Sequence, residues 1–299
     1  MFFDYTNLFF YKQDSGLYKY GLLDLIQLAI MILFVWGLRI ISDQITAKFL
    51  ANIPKSKHMK FRKLTFQGLF RTLTIIILCA SFYSRGLLKF ALFPWIDMKF
   101  LEKYPIEHFT FGGKFIYMFE ISYVFVTAPL VPKLETGKGV YLMLLHHVVT
   151  ATTVFYSYIA YQTLYGETIF LVNDLGVVLL YFSKIINYLG YSKCTKKIFV
   201  ALYVVFIIFR GFSYPCHAYS GIIMGRMDWE EGFLRNLFVI ISGSALAILE
   251  VMQIIWATIL TKMLYRLIKT GKVDGDMRSD NEDILKKRQE SLQALRKAK

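Results

Sequence analysis

Seven long apolar segments dominate this 299-residue chain. A helix needs roughly 20 apolar residues to cross the hydrocarbon core of a bilayer, and each segment is about that long. Hydrophobic residues make up 56% of the sequence and charged residues only 19%, whereas soluble domains are less apolar and more charged. The sequence therefore predicts an all-α, multi-pass membrane protein with about seven transmembrane helices. The predicted spans lie near residues 21–41, 65–83, 111–130, 140–162, 168–190, 198–218 and 237–260.

Arginine and lysine are distributed unevenly between the two sides of these spans. The first-to-second, third-to-fourth and fifth-to-sixth connections and the carboxyl-terminal tail together carry 23 of them, and the opposite side carries 8. Because cytosolic loops are enriched in positive residues, the amino terminus is predicted to be lumenal and the carboxyl terminus cytosolic. The net charge of +14 then reflects topology and attraction to an anionic leaflet, and it does not indicate nucleic-acid binding.

One membrane domain is the simplest organisation, because the chain shows no internal repeat or low-complexity stretch. This domain would comprise residues 21–262, between a lumenal segment over 1–20 and a cytosolic tail over 263–299 with acidic and basic runs. In the tail, Ser279 and Glu282 fit a capping box, and Ser279 among acidic residues also fits an acidophilic kinase site. The three cysteines are scattered and form no CxxC pair, so they indicate neither a disulfide framework nor a zinc site.

Two adjacent histidines, His146 and His147, occur within the fourth apolar segment, and Asp174 occurs within the fifth. Titratable groups are costly in a membrane and usually face a bundle interior or a wet cavity. A neutral imidazole can accept a proton or act as a nucleophile, and a carboxylate bonded to its other nitrogen stabilises the imidazolium. The three side chains are therefore predicted to form a chemical centre, with hydrogen bonding between helices as the alternative.

The depth of these groups in the membrane follows from the two antiparallel helices predicted to carry them. A short turn near Leu164–Glu167 would place His146 level with Lys184, toward the cytosolic side, and Asp174 level with Tyr156. At 1.5 Å of rise per residue, His146 and Asp174 would be offset by roughly 15 Å along the bilayer normal. Direct contact between them is therefore not predicted.

Besides Asp174, six charged residues fall within the predicted spans that follow the first one. Three near the span ends are expected to snorkel to the headgroups: Lys114, Arg71 and Lys184. Three deeper ones are expected either to form ion pairs between helices or to line a substrate cavity: Glu120, Arg210 and Glu250. Hydroxyl side chains beyond the histidines are expected to bridge helices and to mark the membrane interface: Tyr156, Ser157, Tyr158 and Tyr161.

Spaced polar residues around the histidine pair form a motif of two histidines, a threonine, a Ser-Tyr pair, a glycine and an Asn-Asp pair, followed by Leu-Leu and a lysine. Its members are His146, His147, Thr150, Ser157, Tyr158, Gly166, Asn173, Asp174, Leu179, Leu180 and Lys184. The set resembles the motif of the ceramide synthase (longevity-assurance) branch of the TLC-domain superfamily, and its spacing matches without a gap. The stretches Tyr104-Pro105 and Gln253-Ile-Ile-Trp256 also resemble that family, and the likeness covers roughly Phe61 to Asp283.

The resemblance implies a helical bundle around a lipid cavity in the endoplasmic reticulum membrane. Small residues such as Gly176 would leave space for an acyl chain there or, as is commoner, let helices pack closely. It also implies transfer of a fatty acyl group from acyl-coenzyme A, as co-substrate, to the amine of a sphingoid base. Membrane lipids and a second subunit, in a homodimer or a heterodimer, would be its partners, with no bound cofactor and no metal. His146, His147 and Asp174 would be catalytic, and a supporting set would comprise Asn173, Tyr158 and Lys184.

Three positions depart from the family motif. The histidine expected before Asp174 is Asn173, and the two acids expected farther along are Val177 and Tyr181. These departures favour an alternative, a non-catalytic TLC-fold protein that binds or transports lipid or associates with a translocon. An intramembrane metal site on the histidine pair is a third hypothesis, which the adjacent spacing disfavours because metal-binding helices prefer histidines four residues apart.

Overall fold

The computed structural model describes residues 21–94, 111–130, 139–159, 163–227 and 233–271. Over these ranges the chain is helical and contains no β-strand, which confirms the predicted all-α class. The predicted lumenal segment over 1–20, Tyr161 and the tail with Ser279 lie outside the described residues.

Nine α-helices, named in chain order, occur in the described ranges. They are α1 Leu23–Ala47, α2 His58–Ser84, α3 Leu88–Leu92, α4 Phe111–Thr127, α5 Gly139–Ile159, α6 Thr163–Tyr188, α7 Ser192–Ile208, α8 Tyr214–Met227 and α9 Phe233–Thr270. A π-helical segment, Phe209–Ser213, joins α7 to α8 without a break. Short 3-10 turns over Leu50–Asn52 and Lys55–Lys57 connect α1 to α2, and a third, Ala128–Leu130, follows α4.

Five helical stretches in the described ranges are long and apolar enough to cross a membrane. They are Leu23–Ala47, His58–Ser84, Thr163–Tyr188, Ser192–Ser220 and Ile240–Thr270. Each coincides with a predicted span, so the chain is a multi-pass membrane protein. The predicted third and fourth spans correspond to α4, which has 17 residues, and to α5, which carries the histidine pair. The total of seven spans stays a prediction.

Helix α1 lies at the edge of the bundle, where it packs against α4 and α2. Large apolar side chains cover its outer face, and Leu25, Leu33 and Trp36 are 65%, 66% and 56% exposed. A patch of this size is rare on a soluble monomer, and it suits a helix that faces lipid.

Helix α6 is the central helix of the bundle. It packs most extensively against α2 and α7 and also contacts α3, α4, α5 and α8. Its carboxyl-terminal end is defined by backbone geometry, because Gly190 adopts a φ of 87° and Tyr191 N donates to Ile186 O at 3.2 Å, as in a glycine-terminated helix. The central position of α6 brings Asn173 and Asp174 into the interior.

The predicted turn at Leu164–Glu167 is wrong, because these residues form the first turn of α6 and are buried. Gly166 serves close packing here: a Cβ at this position would lie 1.6 Å from Tyr117 Oη. Glu167 forms an ion pair with Arg85 at the end of α2. Helix–helix contacts therefore extend α6 toward its amino terminus. At the other end of the domain, α9 continues to Thr270, beyond the predicted limit near residue 260.

Candidate active site

Helix α5 carries both histidines of the predicted centre, and both side chains are half-buried. The His146 ring meets Trp256 of α9 edge to face, with 5.3 Å between ring centroids, and its centroid lies 5.7 Å from that of His147. His146 Nδ1 is buried without a hydrogen-bond partner in the described part of the chain, and so is Thr150 Oγ1 one turn farther along α5. Since buried polar atoms are normally paired, this face of α5 has hydrogen-bonding capacity available for a ligand.

Arg210 occupies the π-helical segment, and its side chain is buried. Nη1 donates to Gln253 Oε1 at 2.8 Å, and Nη2 donates to the carbonyl oxygen of Asn173 at 2.9 Å. Its Cζ also lies 6.0 Å from the centroid of the Trp256 ring. Because Trp256 contacts His146 as well, Arg210 and the candidate nucleophile flank the same indole. Single-turn π segments inside helices often mark functional sites.

Asn173 completes a closed hydrogen-bond network with Arg210 and Gln253. Gln253 Nε2 donates to Asn173 Oδ1 at 3.0 Å, and Asn173 Nδ2 donates to Ile169 O at 2.9 Å. The network ties α6 to α9 and to the π segment. The amide of Asn173 is therefore bonded within the protein at both its nitrogen and its oxygen.

Asp174 belongs to a buried ion triad with Arg71 of α2 and Glu120 of α4. Arg71 Nη1 donates to both Glu120 oxygens at 2.7 Å and to Asp174 Oδ2 at 3.1 Å. Thr74 Oγ1 adds a 3.3 Å hydrogen bond to Glu120, and the Arg71 guanidinium lies over Tyr123 with its Cζ 4.4 Å from the ring centroid. One cation here serves two carboxylates. The prediction that Arg71 snorkels to the headgroups is wrong, because these acids on other helices bind it in the interior.

Tyr158 lies in a second polar cluster, which joins three helices. Its hydroxyl donates to Asp24 of α1, and the same carboxylate forms an ion pair with Lys114 Nζ of α4 at 2.6 Å. Tyr158 therefore bridges helices, as predicted for this group of hydroxyl side chains. The prediction that Lys114 snorkels is wrong, since Asp24 provides a counter-charge beside it. Lys184 is half-buried on α6, the same helix as Asp174.

Two other motif residues serve helix packing. Tyr117 Oη donates to Ser157 Oγ at 3.0 Å, and Gly166 leaves the space that the Tyr117 ring occupies. Of the deeper charges considered from the sequence, Glu120 is ion-paired, whereas Glu250 Oε2 is buried without a hydrogen-bond partner in the described ranges. The structure thus connects the motif to Arg71, Glu120 and the Arg210–Gln253 pair. In the sequence, these residues stand out as charged or amide side chains inside apolar segments. The sequence does not indicate which residues they pair with.

A metal would need several ligands at one place. In the described ranges, no three His, Cys, Asp or Glu side chains are grouped as metal ligands would be. The groups that flank the Trp256 indole are the His146 ring on one side and the Arg210 guanidinium on the other.

Comparison with protein families identifies this architecture. The family model described as TLC domain matches residues 60–262, which include the histidine pair, Asp174, Arg210 and Gln253. The chain belongs to the TLC domain family. The resemblance seen in the spaced motif is therefore confirmed, and the match ends inside α9, eight residues before that helix does.

Several curated proteins are similar to this chain over about two thirds of its length. "Ceramide synthase 4" of Bos taurus is 25% identical over 190 residues, which are 64% of this chain and 48% of that protein. "Sphingosine N-acyltransferase-like protein FUM17" of Gibberella moniliformis is 28% identical over 60% of this chain and 48% of its own length. "Ceramide synthase LOH2" of Arabidopsis thaliana is 28% identical over 64% of this chain and 66% of its own length. The chain spans about half the length of the animal relatives that it matches.

Proposed function

We propose that this chain is a ceramide synthase-like N-acyltransferase, which transfers a fatty acyl group from acyl-coenzyme A to the amine of a sphingoid base. The observation that carries the proposal is His146, whose ring contacts Trp256 in a TLC domain and whose buried Nδ1 has no hydrogen-bond partner among the described residues. The names of several relatives, ceramide synthase and sphingosine N-acyltransferase-like protein, support the same reaction.

The catalytic roles follow from what each side chain can do. His146, with His147 beside it, accepts the proton that the ammonium of the base loses, or attacks the thioester first and carries the acyl group. Asp174 is the supporting acid, and Arg71 fixes the position of its carboxylate. Asn173 holds the helix that carries Asp174 against Gln253, and Tyr158 and Lys184 support the site from α5 and α6. Acyl-coenzyme A is a co-substrate, and the reaction as proposed needs neither a metal nor a bound cofactor.

The membrane arrangement that goes with this function has seven spans, with α4 and α5 as the third and fourth. A lumenal amino terminus and a cytosolic carboxyl terminus follow from the positive-inside bias of the sequence. That orientation places His146 toward the cytosol, where acyl-coenzyme A is found. We further propose the endoplasmic reticulum as the membrane and a homodimer or heterodimer as the assembly.

Acyl transfer by the purified protein tests the proposal. The chain in detergent would receive palmitoyl-coenzyme A and sphinganine, and mass spectrometry would detect the N-acyl product. We expect His146→Ala to abolish product formation and His147→Ala to reduce it at least tenfold. Val148→Ala is the matched control, because Val148 follows His147 and is 62% exposed. Full activity in both histidine variants would contradict the assignment of the centre.

A specific observation favours a second function, that of a TLC-fold protein that binds lipid without chemistry. Both functional groups of the Asn173 amide are bonded within the protein, and the hydrogen bond of Asp174 connects it to Arg71. These two motif residues then act as helix connectors. Folded protein that binds sphinganine yet yields no product with several acyl chain lengths would establish this function in place of the first.

A further inference from the structure

Arg210 has a buried N–H group that no described residue accepts. The side chain is only 6% exposed. Two of its nitrogens, Nη1 and Nη2, are bonded to Gln253 and Asn173. Nε is also buried, and it has no hydrogen-bond acceptor within the described ranges. Since buried donors in folded proteins are nearly always paired, this N–H is suited to an acceptor that a ligand supplies.

A glycine lies next to Nε, at a position where any other residue would place a side chain. Opposite it on α6 stands Gly176, and a Cβ built there would lie 3.7 Å from Arg210 Nε and 3.8 Å from Phe206 Cδ2, with no closer contact. Because residue 176 has no side chain, a space about the size of a methyl group lies next to the guanidinium. The Trp256 indole connects this place to His146, because it contacts both side chains.

We propose that the Nε–H of Arg210 is a catalytic hydrogen-bond donor to the carbonyl oxygen of the fatty acyl thioester. This inference rests on the proposed acyl transfer and deepens it. The attacking nitrogen forms a bond to the carbonyl carbon, and the electron pair of the C=O double bond moves to the oxygen, which becomes an oxyanion beside Nε–H. Collapse of the oxyanion re-forms the C=O double bond and breaks the C–S bond, whose electron pair leaves with the sulfur as a thiolate. The proton lost by the nucleophile passes through the histidine to the thiolate, which gives the free thiol.

The hydrogen bonds of Arg210 explain why this donor would be effective. A donor stabilises a developing charge best when its position is fixed before the reaction. The Gln253 and Asn173 contacts hold both terminal nitrogens of the guanidinium, so the direction of the Nε–H bond is fixed by the planar group. The buried site also strengthens a charge-assisted hydrogen bond relative to the same bond in water.

Gly176→Ala tests the proposal with a small change to the fold. Its methyl group would make ordinary van der Waals contacts with Nε and Phe206 and would occupy the volume next to the donor. The control is Gly68→Ala on α2, whose methyl group would lie 3.5 Å from Tyr181 Cβ and 3.8 Å from Ile185 Cδ1. Both full-length variants and the wild-type chain would be assayed in detergent with palmitoyl-coenzyme A and sphinganine. Thermal unfolding would verify that each is folded.

We expect Gly176→Ala to lower kcat at least about tenfold, because loss of one oxyanion donor costs about 100- to 1,000-fold and the methyl group blocks it in part. The KM for palmitoyl-coenzyme A should change less than about twofold, since the interaction develops in the transition state. Gly68→Ala should retain the wild-type kcat. Arg210→Lys, which keeps a cation but lacks Nε–H, should lose at least as much activity as Gly176→Ala.

Several outcomes would overturn the assignment. Wild-type kcat in folded Gly176→Ala or in folded Arg210→Lys would show that Nε–H has no part in the reaction. Equal losses in Gly176→Ala and Gly68→Ala would indicate a general packing effect, and a raised KM at constant kcat would indicate crowding of the substrate alone. In each of these cases, acyl transfer by the wild-type chain would still support the proposed function. A folded wild-type chain without acyl transfer would overturn both.

Discussion

Replacing Arg71 with methionine should destabilise the protein strongly, because it removes the counter-charge of two buried acids. The Arg71 side chain is 16% exposed, and those of Glu120 and Asp174 are each 5% exposed. Both carboxylates bind the same nitrogen, Nη1. Methionine keeps most of the apolar volume of arginine, so the variant mainly tests charge and hydrogen bonding.

The expected magnitude follows from burial. Removing one partner of a buried ion pair costs about 3–5 kcal/mol, since the remaining charge stays in a medium of low polarity. The two ion pairs share one donor atom, so we expect about 3–5 kcal/mol in total for Arg71→Met. Combining it with Glu120→Gln removes one of the unpaired charges. The double variant should therefore be more stable than the sum of the single variants implies, by about 0.5–3 kcal/mol.

Thermal and denaturant unfolding of the purified protein in detergent would measure these differences. Arg39→Met is the matched control, because Arg39 lies on the outer helix α1, where its Cζ is 6.0 Å from the centroid of the Phe66 ring of α2. A change outside such buried networks stays within about 0.5 kcal/mol. If Arg71→Met is as mild as Arg39→Met, or if the double variant is simply additive, the triad does not stabilise the fold as argued.

Three further substitutions test the packing and the hydrogen bonds around the site, each by its unfolding midpoint. Gly166→Ala should cost about 1–3 kcal/mol through overpacking, because its Cβ would lie 1.6 Å from Tyr117 Oη, and Tyr117→Phe in the same chain should recover part of the loss. Tyr158→Phe should cost about 1.5–3 kcal/mol, since it removes a hydrogen bond to the Asp24 carboxylate. Its control is Tyr141→Phe, at a 78% exposed position of α5. An equal loss of stability in the two variants would contradict the prediction. Gln253→Ala should cost about 1–3 kcal/mol for each group left unpaired, namely Arg210 Nη1 and Asn173 Oδ1. Ile254→Ala, at a 58% exposed position, is its control, and equal midpoints for the two would show that the network contributes no stability.

The helical class and the positions of five spans were predictable from the sequence because a bilayer sets a physical length. Apolar runs near 20 residues have few alternatives to a spanning helix, and the spaced motif identified the family. Helix limits were less predictable where tertiary contacts decide them. Gly166 and its neighbours resembled a turn, yet they form the start of α6 because the missing side chain admits Tyr117.

Partners of charged residues could not be predicted, because pairing depends on how helices rotate against one another. Arg71 binds Glu120 and Asp174, which are 49 and 103 residues away in sequence. The position of Arg71 near the end of a predicted span indicated only its depth in the membrane. At that depth, snorkelling to the headgroups is the simplest way to keep a charge hydrated. The partner of Lys114 was unpredictable for the same reason. Lys114 lies on α4 and its partner Asp24 lies on α1, with two helices between them in the sequence. The residue types indicated that these charged groups need partners. Which residues become the partners is determined by how the helices pack.

Two sets of polar groups in the described bundle have different consequences for binding. Ion pairs with complete partners connect α1, α2, α4 and α6, namely those of Arg71, Lys114 and Arg85. Of the eight buried side-chain atoms without a hydrogen-bond partner in the described ranges, four lie on α5, the π segment and α9: His146 Nδ1, Thr150 Oγ1, Arg210 Nε and Glu250 Oε2. A polar substrate group that enters on the α5–α9 side can form hydrogen bonds there while the ion pairs of the other helices stay intact. Binding should therefore stabilise the fold, since a ligand that satisfies unpaired groups adds its binding free energy to that of folding.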